Sequence, residues 1–99
     1  MEIKTTQRGT EVLAEITGVI KGNVDSDKLK KSIDECGEIT HLEILISESF
    51  SITSTIIGYL SKKSAIQGVR VLMKVKDQRL YEILDELNLL EMFNVTLLK

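Results

Sequence analysis

Leu42-Glu43-Ile44-Leu45-Ile46-Ser47-Glu48-Ser49-Phe50-Ser51-Ile52-Thr53-Ser54-Thr55-Ile56-Ile57-Gly58-Tyr59-Leu60 is the stretch on which the fold turns. Its first five residues form a short, nearly continuous apolar run, as expected of a strand buried on both faces of a sheet. Its last five begin a helix: at about 100° per residue, Ile56, Ile57 and Leu60 share one face with Thr53 and Ser64. That helix is expected from about Thr53 to Gln67, with Gly68 as a left-handed terminator. A strand followed at once by a helix is the first part of a crossover, and the strand that completes it comes next. Val69, Val71, Met73 and Val75 alternate with Arg70, Leu72, Lys74 and Lys76.

The same alternation of periods extends outward in both directions. Upstream, Ile3 to Arg8 reads as an edge strand, Gly9-Thr10 as a turn, and Val12 to Thr17 as a strand with Val12, Ala14 and Ile16 on one face. Between that hairpin and Leu42, a first helix is expected over Asp25 to Cys36. Leu29, Ile33 and Cys36 form its apolar stripe, Asn23, Asp25 and Ser26 its cap region, and Gly37 its stop. Downstream, Leu80, Ile83, Leu84 and Leu87 have the spacing of a third helix, and Phe93, Val95 and Leu97 alternate as a last strand. Helical connections between successive strands imply parallel pairing through right-handed crossovers. The expected fold is therefore a single α/β domain spanning residues 1–99, with a mixed, mainly parallel sheet of about five strands and three to four helices.

Composition narrows the function. A formal net charge of -2 with dispersed Lys and Arg gives no basic stripe for a nucleic acid backbone, so no nucleic acid partner is expected. No apolar run approaches the ~20 residues of a membrane span, and Met1-Glu2-Ile3-Lys4 does not open a signal peptide. With Cys36 the only cysteine, an intrachain disulfide is ruled out, and a cytoplasmic location is expected.

The supply of catalytic groups is thin. His41 reads as a solvated loop residue before a strand, and Cys36 as a small hydrophobe completing a helix stripe. Gly18 and Gly22 lack the third glycine and the Lys-Ser/Thr pair of nucleotide-binding loops. Asp25, Asp27, Asp34 and Glu35 lie among Lys28, Lys30 and Lys31 on the polar face of the first helix, as on any solvated surface. No enzyme activity, cofactor or metal site is expected.

The unusual feature is the turn from Ser47 to Thr55, where six of nine side chains carry hydroxyls. It joins the carboxyl end of a strand to the amino end of a helix, where free N–H groups and the positive end of the helix dipole point outward. One cap needs one hydroxyl, and Ser51 or Thr53 would supply it. On the helix that follows, Ser54 and Gly58 share a reachable flank, while Thr55, Tyr59 and Ile66 lie roughly opposite the core as a candidate contact strip. Partner contacts are expected from Glu48, Ser49, Ser51, Thr55, Gly58 and Tyr59.

Three pieces of the chain, within an element order that matches over nearly its whole length, resemble the STAS domain family, which includes the bacterial anti-sigma factor antagonists. They are Glu15-Ile16-Thr17-Gly18-Val19-Ile20, Phe50-Ser51-Ile52-Thr53-Ser54-Thr55-Ile56-Ile57, and Leu84-Asp85-Glu86-Leu87-Asn88-Leu89. In those antagonists the turn reads Asp-Ser-Ser-Gly-Leu, and a partner kinase phosphorylates the second serine. The resemblance implies a protein-binding regulator of transcription that docks an anti-sigma factor or serine kinase and is switched at Ser54, with Thr53 and Thr55 as neighbouring acceptors. Ile52, Thr53 and Thr55 stand where the motif has Asp, Ser and Gly. The resemblance also accommodates an unphosphorylated scaffold or docking subunit of a sensory or transport complex.

Overall fold

Strand β1 (Glu2–Arg8) and strand β2 (Glu11–Thr17) pair antiparallel from Glu2↔Thr17 to Arg8↔Glu11, leaving Gly9 and Thr10 as the loop. Gly9 takes φ +62, which a two-residue hairpin loop requires at its first central position and glycine adopts without steric cost. The computed structural model describes residues 1–99. After the hairpin come α1 (Gly22–Asp34), β3 (His41–Ile46), α2 (Ser54–Ala65), β4 (Arg70–Val75), α3 (Gln78–Glu86) and the short β5 (Thr96–Leu97).

The five strands lie side by side in chain order, with β2, β3, β4 and β5 parallel. This is the expected α/β fold with a mixed, mainly parallel sheet, built with three helices. Because each crossover steps to the next strand in the same direction, right-handed connections place every helix on one face of the sheet. Burial agrees. Val12, Ala14 and Ile16 align in register with Leu42, Ile44, Ile46 and with Val71, Met73, Val75, and all nine are buried. The residues between them, among them Leu13, Leu45 and Leu72, are only half-buried. The expectation that Leu42 to Ile46 is covered on both faces is therefore corrected: its odd-numbered residues, Glu43 and Leu45, look out from a face no helix reaches.

Other boundaries shift for identifiable reasons. α1 starts at Gly22, where Asp25 Oδ2 accepts from the Lys21 amide at 2.7 Å, and ends before Cys36, which is half-buried beside the core. In α3 only Leu80 and Leu84 are buried, while Leu87 is 51% exposed, so half of the expected stripe faces out. The last strand is shorter than the alternation of Phe93, Val95 and Leu97 predicts. Asn94 adopts φ 47, which breaks the extended run, and its side-chain amide donates to Val71 O at 2.8 Å. Phe93 is fully buried, as a plug ahead of the strand rather than a member of it.

No helix is long and apolar enough to cross a membrane.

Candidate functional site

At the carboxyl end of the parallel strands, the loop after β2 and the turn after β3 are stitched together by the hydroxyl-rich segment. Ser47 Oγ donates to Ile16 O at 3.2 Å. Glu48 Oε1 accepts from Gly18 N at 3.1 Å, and Gly18 itself holds φ +79. Ser49 is fully buried. Its Oγ accepts from Ile20 N at 3.1 Å and from Ser51 N at 3.3 Å, and donates to Ser51 O at 2.8 Å. Ser51 Oγ donates to Ile20 O at 3.2 Å. The expected partner contacts at Ser49 and Ser51 are thus turned inward: Ser49 is inaccessible, and Ser51 is half-buried with its hydroxyl committed.

Thr53 is the N-cap of α2, its Oγ1 accepting from Ile56 N at 3.1 Å. The same oxygen lies 2.7 Å from Oγ of the buried Ser26, which is 2.9 Å from Gly22 O. With Ser26 donating its single proton to Gly22 O, Thr53 donates to Ser26. A chain of hydrogen bonds then runs from the Ile56 amide through Thr53 and Ser26 to the first turn of α1. Every buried side-chain polar atom is satisfied in this way. As a phosphate acceptor Thr53 is poorly placed, because its hydroxyl is spent on both a cap and a buried partner.

Two hydroxyls of the segment stand outside this network. Ser54, the first residue of α2, and Thr55 are both exposed, and neither side chain joins the bonds that engage Ser47, Ser49, Ser51 and Thr53. No acidic residue lies in the first turn of α2. Gly58, one turn on, is exposed with open space where a Cβ would sit.

Phe50, 44% exposed at the tip of the turn, lies under the Arg79 guanidinium, 4.8 Å from its ring centroid to the cation. Arg79 is oriented by Asp77, the N-cap of α3, through contacts of 2.8 and 3.2 Å. That hydrogen bond, reinforced by the Arg79 and Leu80 amides, holds the Asp77 carboxyl below its ordinary value against the opposing effect of desolvation. A cation stacked on an aromatic face ties the turn after β3 to the start of α3.

Tyr59 departs from its expected place opposite the core. It is half-buried against α1, its phenol donating to Asp34 Oδ1, with Lys63 Nζ 3.8 Å from the same oxygen and 5.4 Å from the ring centroid. Burial, then the Asp34 hydrogen bond and charge, raise the phenol above its ordinary value of 10.0. Helical periodicity locates the side of α2 that faces the sheet, whereas Tyr59 lies on the flank where α1 packs against α2. Ile66 remains bare at 76% exposure. A shallow hollow of about 430 Å³ opens between α1 and α2, with Lys30, Lys62, Thr55 and Gly58 on its walls.

Because the strand order never reverses, the sheet has no switch-point crevice of the kind that seats nucleotides in doubly wound sheets. Surface contact, not a pocket, is what this end of the molecule offers. His41 is exposed, its Nδ1 3.0 Å from Thr40 Oγ1 at the opposite end of the sheet, and Cys36 Sγ reaches only Ser32 O at 3.5 Å. Nowhere do three or more His, Cys, Asp or Glu side chains gather as metal ligands would.

Sequence reasoning missed the roles of Ser26 and Arg79. Ser26 was legible in part, since it lies three residues before Leu29 and seven before Ile33, on the apolar stripe. Arg79 left no signal, because its partner Phe50 is nearly thirty residues away. No family model matches the chain, and no curated protein matches it.

Proposed function

We propose that this chain is a STAS-type regulatory module that docks a protein partner of the serine-kinase or anti-sigma class in the cytoplasm, through the turn after β3 and the amino end of α2, and that phosphorylation of Ser54 releases that partner. The observation that carries the reading is the division of the hydroxyls: four are spent inside the molecule, while Ser54 is exposed at the first position of a helix. A phosphate there adds about -1.5 to -2 charges beside the positive end of the helix dipole, which tolerates it. Lys62 and Lys63 lie in the last turn of α2, so no local clamp draws the phosphate inward. The charge acts on the docked partner by repulsion and desolvation, with little rearrangement of the domain. Phe50, Thr55 and Gly58 supply the rest of the contact.

One observation favours a second reading, an unphosphorylated scaffold or docking subunit. Ile52, where the family motif has Asp, is half-buried and packs against the core, so the position anchors the turn and offers no carboxylate to a kinase.

Incubating the protein with ATP and the serine kinase encoded beside its gene, then mapping phosphate by mass spectrometry, separates the two. Phosphate on Ser54 together with loss of partner binding supports the switch. Binding retained with no phosphate on Ser54 supports the scaffold, and phosphate confined to Thr53 contradicts the hydrogen-bond argument.

A further inference from the structure

The two edges of the sheet are managed differently. β5 is a two-residue edge, too short to template another strand, whereas β1 runs seven residues with one-to-one register, no bulge and no proline. Its outward backbone groups can be identified. A two-residue hairpin loop closes on a hydrogen-bonded pair, here Arg8 and Glu11, so Thr6, Lys4 and Glu2 also bond to β2 and the residues between them point away. The Ile16 carbonyl bears this out, because it is turned to β3, where Ser47 N donates to it at 3.3 Å. Ile3, opposite Ile16, therefore directs its N–H and C=O outward, as do Thr5 and Gln7. None of the backbone bonds outside the helices and strands engages them.

We propose that β1 pairs antiparallel with β1 of a second copy, about a two-fold axis through Thr5, joining the two sheets into one. The sequence of the strand is self-complementary in that register. Thr5 meets Thr5 and Ile3 meets Gln7 on the helix-covered face, while Glu2 meets Arg8 of the copy, twice, on the open face. Arg8 is exposed and makes no ion pair within its own chain, and Glu2 is 83% exposed, its carboxylate 3.7 Å from Lys28 of α1, a contact that pairing with Arg8 of the copy replaces. Lys4 meets Thr6 of the copy and has Glu15 opposite it on β2. A register shifted by two residues in either direction loses both Glu2–Arg8 pairs, so charge fixes the alignment that the backbone alone leaves free. The pairing leaves the turn after β3 uncovered, so a dimer presents two docking sites on one continuous sheet.

Sedimentation equilibrium of the full chain at low salt is expected to show a reversible monomer–dimer equilibrium. Thr5→Pro removes an outward N–H that the monomer does not use, and weakens the dimer at least about tenfold while circular dichroism stays native. Arg8→Glu weakens it about tenfold by setting a second carboxylate against Glu2 of the copy, and adding Glu2→Arg restores it to within about threefold. The charge pair carries the test if Thr5→Pro perturbs the hairpin. A monomer at all concentrations up to about 1 mM overturns the proposal, including the case in which the edge serves a strand of another protein. So does a dimer indifferent to the charge reversal.

Discussion

Ser47, Ser49, Ser51 and Thr53 occupy one side of the α2 boundary, Ser54 and Thr55 the other, and the same chemistry serves opposite ends on the two sides. Before the helix the segment runs through successive bends, and its hydroxyls turn inward: Ser47 to Ile16 of β2, Ser49 and Ser51 to Ile20 in the β2–α1 loop, and Thr53 to Ser26 of α1. Glu48 and Phe50, between them, are exposed. At Ser54 the helix begins, the bends that turn the hydroxyls inward end, and two hydroxyls in succession face solvent. The change of backbone geometry, not the residue type, separates a structural hydroxyl from an available one.

If that division is right, the inward half is worth folding stability and the outward half is not. Ser49→Val should have the largest effect, a loss of about 2–3 kcal/mol, because it leaves the Ile20 and Ser51 amides unsatisfied at a buried site. A urea midpoint shift with unchanged slope is the measurement, and a loss under about 0.5 kcal/mol would show that the network is incidental. Thr53→Val comes next, at about 1–2 kcal/mol, by removing the α2 cap and the partner of Ser26. Since Thr53 and Ser26 share one hydrogen bond, Thr53→Val and Ser26→Ala together should cost less than the sum of the two. Strict additivity would break the relay from Ile56 to Gly22.

The architecture was open to sequence reading because its signals are local. The strand and helix periods of residues 42–60 and 69–76, a hydroxyl cap narrowed to Ser51 or Thr53 and the stop at Gly68 all lie within a few residues of what they control. What stayed hidden depends on where elements go in space. The open face of β3 follows from strand order, which an apolar run such as Leu42 to Ile46 does not encode. Tyr59 looked exposed because helical geometry knows the core side of α2 but not that Asp34 of α1 lies beside its flank. The inward serines looked surplus because their partners, Ile16 and Ile20, lie some thirty positions upstream.

Tyr59 extends the comparison to the helix surface beside the exposed hydroxyls. Its phenol is raised in the folded state, so the unfolded chain ionises first as pH rises through 10.0. The unfolded state then binds fewer protons, and the stabilisation, full below that pH, falls away as pH climbs toward the folded value. Tyr59→Phe should cost about 1 kcal/mol at pH 7 by deleting the bond to Asp34, and should flatten the loss of stability between about pH 9 and 11. An alkaline slope identical in the variant would mean that Tyr59 is not a latch between α1 and α2.

Ser54 should show the smallest effect on folding, and a different one on binding. With no internal hydrogen bond to lose, Ser54→Ala should stay within about 0.5 kcal/mol of the parent. Ser54→Asp should stabilise by about 0.3–1 kcal/mol, because a carboxylate at the first position of α2 complements the dipole where no acidic residue now sits, and salt should erase the gain. A charge that helps the free domain while weakening partner binding at least about tenfold must act at the interface, since it cannot act by damaging the fold. Ser54→Asp binding the partner as tightly as the parent removes the repulsion mechanism. Ser54→Asp destabilising the free domain would instead place Ser54 among the inward hydroxyls, and the boundary at Thr53 would have to move.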